Sequence, residues 1–314
     1  MAHYCDAAYW EKRYSKICNS LPTGDTPATA TSNMPTYDWY LPYKPLEDGG
    51  EGVAFSFRQE LLSLIRGQME DMARRIGKGF QKRTYRVVVL GCGMSRLCED
   101  LTDDLNAALL GGTTSSLAMM TTLFHSVEVC GVDFSPSCVA AMEMRRVDPV
   151  AAGHSGIPKL RSAETSAALV KAQQSRLEGN TPAAKSSASS NVEPFIVREN
   201  LSYVVCNAAD LSKLFPAAEN AVRADLIIDK ALLDTVLCGD LPSKSIDRAA
   251  KVVSEVFRVL NPVGGKWVHM SHCAVTTGQR DVVFVNPAAR WSKADVYPLT
   301  ATTDRTYSMF VLSK

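Results

Sequence analysis

A chain of 314 residues that is 46% hydrophobic and 21% charged can bury a substantial core and has the make-up of an ordinary globular protein. With 34 basic residues against 33 acidic ones the net charge is +1, so no long-range field advertises nucleic acid or an anionic membrane as partner. The opening residues, MAHYCDAAYWEKRYSK, are mixed in charge and lack the apolar centre of a secretory signal. No apolar run approaches the ~20 residues of a membrane-spanning helix. The nine cysteines form no CxxC pair, and several sit inside apolar runs such as YVVC, the pattern of reduced thiols in a cytoplasmic protein.

In chain order, YWEKRY (9–14) comes first and puts Trp10 and Tyr14 four apart, on one face of a helix. TYDWYLPYKPL (36–46), with Trp39, is a second aromatic cluster. Residues 17–36 between them, rich in Thr, Pro and Ala, look inserted. Short Val- and Ile-rich runs then read as buried parallel strands: YRVVVL (85–90), SVEVCGVD (126–133), LSYVVC (201–206) and ADLIIDK (224–230). GKWVHMSHC (265–273) is a fifth, and DVVFV (281–285) and YSMFVLS (307–313) are two more candidates. After the first strand, Leu97, Leu101, Leu105 and Ala108 recur at helical spacing, so that face is expected to pack on the sheet. IDRAAKVVSEVFRVL (246–260) repeats the pattern, and Asn261-Pro262 stops it. Two further stretches look inserted, 103–124 and the Ala/Ser-rich 149–194, whose low apolar content cannot build a core. Strand–helix alternation of this kind predicts one α/β domain over 1–314: a Rossmann-like, mostly parallel seven-stranded sheet with helices on both faces.

Ligands of such sheets collect at the carboxyl ends of the strands. VVVLGCGMS (87–95) is a strand entering a glycine turn and then a helix near Ser95. Gly91 and Gly93, with Cys92 between them, let a ligand approach the backbone. The third glycine of a dinucleotide turn is replaced by Arg96, so the turn suits an amino-acid carboxylate and a ribose better than a pyrophosphate. Asp133, in GVDFS and followed by Phe134, is placed to accept both hydroxyls of a ribose; the alternative is a helix cap beside Ser135-Pro136. Asp210, in NAADL, could accept from an adenine amino group with Leu211 against the ring, or could cap a helix over 211–215. Asp229 and Lys230 end the fourth strand and are expected to face the cleft. Trp10, Tyr14 and Trp39 read as a lid over the ligand (about residues 1–46) or as gap-filling aromatics. His269, His272 and Cys273 are close in sequence, but 269 and 272 fall on opposite faces of a strand, and no metal site is expected.

YWEKRY, YDWY, VLGCGMS, VDFS, ADL, DKALLD and EVFRVLNPVGGKW occur in the order found in the methyltransferase-like 13 family, the elongation factor 1-alpha lysine methyltransferases and their relatives. The chain resembles that family from about residue 9 to 273, leaving out the three insertions. The resemblance implies a class I methyltransferase fold with S-adenosylmethionine (SAM) as cofactor. It implies cofactor contacts from Trp10, Tyr14, Trp39, Gly91, Asp133, Phe134, Asp210, Leu211 and Lys230, with Cys92, Gly93 and Asp229 beside them. It also implies a protein lysine, in a translation factor such as elongation factor 1-alpha, as substrate. Met94 stands where the family usually has Asn, and KALLD replaces a KGTLD-like string. Asp229 and Asp234 are the candidates for orienting or deprotonating the acceptor amine, Asp234 having helix capping as its alternative role. Two other functions remain open on the sequence: methylation of a small amine, and a noncatalytic SAM-fold module that holds a partner through the basic 72–86 stretch.

Overall fold

The computed structural model describes residues 6–20, 43, 54–76, 82–110, 123–148, 196–218, 221–238, 242–272, 284–300 and 306–314. Trp39, Cys273 and the stretch 149–194 lie outside them.

The frame is one seven-stranded sheet. Its strands are β1 (Arg83–Leu90), β2 (Phe124–Asp133), β5 (Leu201–Val205), β6 (Leu226–Lys230), β7 (Lys266–Ser271), β8 (Lys293–Thr300) and β9 (Thr306–Ser313), in the order β5-β2-β1-β6-β7-β9-β8. Pairing is parallel from β5 through β7, and β9 runs antiparallel to both of its neighbours. This is the mostly parallel Rossmann-like sheet expected from the alternation of strands and helices. A separate two-stranded ribbon joins β3 (Val147–Asp148) to β4 (Ile196–Val197).

The central strands are apolar on both sides because both sides are covered. Val87, Val89, Val127, Val129, Leu226, Ile228 and Val268 point into one core, and Val88, Leu90, Val132, Ile227 and Trp267 into the other. The first core is closed by α2 (Ala54–Ile76), α3 (Leu97–Leu110) and α4 (Pro136–Arg146), joined by α1 (Ala7–Ser20). On α2, Phe57, Leu61, Ile65, Met69 and Met72 share one buried stripe at helical spacing. On α3, Leu97, Leu101 and Leu105 are buried as expected, each contributing about 1.5–3 kcal/mol, but Ala108 is exposed. The second core is closed by α5 (Leu232–Leu237) and α6 (Pro242–Val259), through Leu233, Ala249, Val252, Val253 and Val256.

Three expectations need correction. The stretch 103–124 is not wholly an insertion: α3 runs to Leu110, and Asp103 and Asp104 are tied to Arg198 and Arg58 by two-pronged ion pairs of 2.7–2.9 Å. Likewise α1 carries the chain to Ser20, with Ile17 and Cys18 packed on the core, so the inserted look of 17–36 does not hold for 17–20. Finally, the described end of DVVFV, Phe284 and Val285, is a helical residue and a turn; the strand that pairs with β9 is β8, further along. No described helix is long and apolar enough to cross a membrane.

Candidate functional site

Parallel register brings the strand ends level. Leu90 pairs with Val132 on one side and with Asp229 on the other, so β1, β2 and β6 stop together. Above them lies a cavity of about 290 Å³, near the lower end of the roughly 300–1,000 Å³ of small-molecule sites.

Its floor is the glycine turn. Gly91 and Gly93 have φ of 58° and 52°, a region that side chains rarely adopt. A Cβ on Gly91 would stand 3.1 Å from the Leu232 side chain, and one on Gly93 3.0 Å from the Tyr14 hydroxyl. Cys92 between them is buried and donates its N–H to the Val132 carbonyl at 3.1 Å, lashing the turn to β2. The helix begins at Leu97, two residues later than expected, where Ser95 Oγ accepts the Leu97 N–H at 3.1 Å. Arg145 of α4 holds the turn from behind by donating to the carbonyls of Met94 and Ser95 and to Glu99.

Asp133 closes the next side. One carboxylate oxygen accepts the Gly93 N–H at 3.1 Å, the other the Ser135 N–H at 3.0 Å. Burial pushes this carboxyl up to about 6, against the pull of those amide bonds. It does not cap the following helix. Ser135 does, its Oγ accepting the Cys138 N–H at 3.1 Å. Phe134 joins the wall.

The cover is α1. Trp10 and Tyr14 stack at 5.8 Å and 25°, are both buried, and both line the cavity. Glu11, between them in sequence, anchors the helix by accepting the hydroxyls of Ser135, Ser137 and Ser15. Burial raises its carboxyl, but the serine hydroxyls outweigh this and hold it below the ordinary glutamate range. The Tyr14 phenol is pushed well up by burial and by Asp133, and is therefore a neutral donor.

At the third strand end, Cys206, Asn207, Ala208 and Ala209 line the cavity. Asp210 and Leu211 do not. Asp210 is exposed, its carboxylate accepting the Ser212 N–H at 3.1 Å and held below its ordinary range by Ser212. Leu211 is in the second core, its N–H given to Glu255 at 2.8 Å. Residues 211–215 form a turn and a bend rather than a helix, so no helix follows for Asp210 to cap.

Asp229 and Lys230 do not both face the cleft. Neighbours on a strand point to opposite faces, and only Lys230 lines the cavity. Asp229 turns into the protein, fully buried, and accepts the N–H groups of Leu232 at 2.6 Å and Leu233 at 3.2 Å. It thus caps α5 across Ala231, whose φ of 75° is the one positive value among described residues other than glycine. Asp234 lies in the first turn of α5 and does not line the cavity. Its carboxylate accepts the Ser271 hydroxyl at 2.7 Å and the His272 N–H at 3.2 Å, and its side chain keeps 15% exposure. His269 is buried and His272 exposed, and no described group of three His, Cys, Asp or Glu is arranged to hold a metal.

Sequence reading missed other parts of the wall: Ala7 of α1, Ala231, then Leu232, Thr235 and Val236 of α5, with Arg248 and Val252 of α6. Arg248 and Val252 are one helical turn apart in a segment whose periodicity signals core packing alone, so only the fold turns them toward the site.

No family model matches the chain, and no curated protein matches it. Among solved structures it is similar to a SAM-dependent methyltransferase of Leishmania major, at 10% identity over 98% of this chain and 85% of that one, with a TM-score of 0.40. It is also similar to the magnesium protoporphyrin IX methyltransferase of Synechocystis PCC 6803 with bound SAM, at 9% identity over 87% and 88%, TM-score 0.37. A third is a mutant 16S rRNA (adenine(1408)-N(1))-methyltransferase of Catenulisporales acidiphilia, at 12% identity over 79% and 90%, TM-score 0.38. Likeness at this level assigns no substrate, and the cavity's own residues have to decide what it holds.

Proposed function

We propose that the chain is a SAM-dependent methyltransferase that modifies lysine in a protein, a translation factor such as elongation factor 1-alpha being the acceptor. The observation that carries the cofactor is one cavity that gathers the glycine turn, Asp133, the 206–209 loop and Lys230 beneath Trp10 and Tyr14.

Each wall suits one part of that molecule. Asp133 keeps a second lone pair on each oxygen for the ribose hydroxyls after binding the two amides. Ala208, Ala209, Val236 and Val252 offer an apolar slot for a purine, with Arg248 at its rim. Lys230 supplies a cation for the amino-acid carboxylate beside the closely approachable backbone of the turn. The aromatic faces of Trp10 and Tyr14 favour a cation and exclude water. When bound, SAM supplies a methyl group already activated on a sulfonium. The chain has then to align an amine and have it neutral when it attacks. Neither Asp229 nor Asp234 lines the cavity; Asp234, with 15% of its side chain exposed against none for Asp229, is the one of the two that an incoming amine could reach.

Lysine as acceptor rests on the resemblance in YWEKRY, YDWY and DKALLD. The test is calorimetry with SAM and with NAD, followed by incubation of the protein with SAM and purified elongation factor 1-alpha. Binding of SAM but not NAD, with methyl increments on a lysine by mass spectrometry, is the expected result. Transfer to a small amine instead would replace the substrate reading, and binding without any transfer would leave a SAM-holding module.

A further inference from the structure

We propose that Glu11 is a positioning residue of the cofactor site: through Ser135 it ties the lid helix α1 to Asp133, so that lid and ribose acid hold the cofactor as one unit. The proposal rests on the SAM-binding reading and deepens it.

Neither Glu11 nor Ser135 lines the cavity, whereas Trp10, Tyr14 and Asp133 do. Any effect of the first two on a ligand therefore passes through the other three. Ser135 is the joint. Its N–H donates to Asp133 Oδ1 at 3.0 Å, and its hydroxyl donates to Glu11 Oε2. The same hydroxyl oxygen accepts the Cys138 N–H at 3.1 Å, so the side chain cannot turn away without uncapping α4. Ser137 gives its hydroxyl to Glu11 Oε1, and the Ser15 hydroxyl of α1 lies 2.8 Å from that of Ser137 and 3.2 Å from Glu11 Oε1. The Cys18 thiol adds a contact to the Ser137 carbonyl at 3.5 Å. Burial raises the Glu11 carboxyl, but the serine hydroxyls outweigh it and keep the group ionised, which makes these bonds stronger than neutral ones.

The contacts close into a circuit. Asp133 Oδ2 accepts the Gly93 N–H at 3.1 Å, and a Cβ on Gly93 would stand 3.0 Å from the Tyr14 hydroxyl. Tyr14 lies three residues beyond Glu11 on the same helix, and Trp10 is the residue before it. A rigid helix transmits any turn along its length, so a shift that frees Glu11 carries both rings away from the cavity together. Gly93, Asp133, Ser135, Glu11 and Tyr14 thus link turn, acid and lid in one loop of contacts, with Asp133 and Tyr14 open to the cavity. Coupling of this kind is reciprocal: a ribose on Asp133 favours the seated lid by as much as the seated lid favours the ribose.

The test uses the full chain near about pH 7.5, above the Asp133 carboxyl, which burial pushes up to about 6. Calorimetry with SAM compares wild type, Glu11→Ala, Glu11→Gln, Asp133→Asn and the double variant Glu11→Ala/Asp133→Asn, at a temperature where circular dichroism shows each folded. Glu11→Ala is expected to weaken SAM by at least about fivefold, through two lost charge-assisted bonds. Glu11→Gln recovers most of that, because its amide still bridges serine hydroxyls that can donate or accept. The double variant loses at least about threefold less than the product of the single losses. A smaller loss in Glu11→Ala, a Glu11→Gln no better than Glu11→Ala, or losses that simply multiply would each overturn the proposal. A second arm needs no ligand: fluorine NMR of fluorotryptophan-labelled protein, the Trp10 resonance assigned by Trp10→Phe. Movement of that resonance toward its solvent-exposed position in Glu11→Ala but not in Glu11→Gln supports the proposal, and an unmoved resonance overturns it. Should the wild type bind no SAM, the cofactor reading fails and the coupling with it, while the fluorine arm still decides whether Glu11 seats the lid. Should Glu11→Ala fail to fold, Ser137→Ala takes its place, with a loss of at least about threefold expected and a smaller one refuting.

Discussion

Replacing Asp133 by Asn tests the cavity most directly. The carboxylate is 4% exposed and already carries the N–H groups of Gly93 and Ser135, one on each oxygen. Alanine would orphan both amides at about 1–3 kcal/mol each and confuse binding with stability. Asparagine keeps the shape and one acceptor, and points its NH₂ at the other amide and at one ribose hydroxyl. Hydrogen bonds to a charged group are worth about 1.5–3 kcal/mol, so losing one good bond and the charge on the other weakens SAM roughly tenfold to a few hundredfold. The assay is calorimetry at pH 7.5, with melting by circular dichroism as control. A second signature comes from protonation. With the carboxyl at about 6 in the free protein and SAM binding its ionised form, wild-type affinity falls up to about tenfold per unit below pH 6. Asparagine abolishes that slope. The raised carboxyl also means that the free protein gains stability from this group as pH falls from about 6 toward 3.8. Binding by Asp133→Asn within about threefold of wild type, with the same dependence on pH, would remove Asp133 from the ligand.

Other outcomes follow from neighbouring residues. Ala231→Gly relieves a left-handed alanine with φ of 75° at the cost of a more flexible unfolded chain, so the net gain is up to about 1 kcal/mol in urea unfolding; destabilisation would mean that the Ala231 methyl packs productively. Trp10→Ala removes a ring that is 6% exposed and lines the cavity, and SAM affinity is expected to drop about tenfold or more even at temperatures where the fold is intact; recovery of affinity on cooling would make Trp10 packing alone. His269, raised from 6.5 to about 9, contributes stability that is complete below pH 6.5 and lost as pH rises through 9, up to about 3 kcal/mol, and urea melts of wild type against His269→Gln over that window measure it.

The central parallel strands β1, β6 and β7 were legible because each is a short apolar run buried on both faces, and such runs announce themselves without help from the rest of the chain. The far edge was not. DVVFV has the better strand composition, but its described end goes to an aromatic cluster, where Phe284 meets Trp267 at 5.7 Å. The strand that forms, KADVYPLT, alternates charge with bulk and contains Pro298, which an edge position tolerates and a central one would not. Asp210 and Leu211 failed for a local reason: the turn after β5 presents Asn207, Ala208 and Ala209 to the cavity and sends the next two residues outward and inward.

The pair Asp229-Lys230 shows where reading along the chain stops working. Both residues end a strand at the right edge of the sheet, and charge alone nominates both for the site. Alternation assigns one to each face, but which one faces the cavity depends on the phase of β6, set by Ile227 and Ile228 filling opposite cores. Once that phase is fixed, Asp229 lies beside His269, forty positions on in the chain, and becomes the cap of α5 and the partner of an imidazole. No spacing rule connects positions 229, 234 and 269. The β6–β7 register joins the first and last of these, and α5 carries Asp234 to 3.7 Å from the ring of His269.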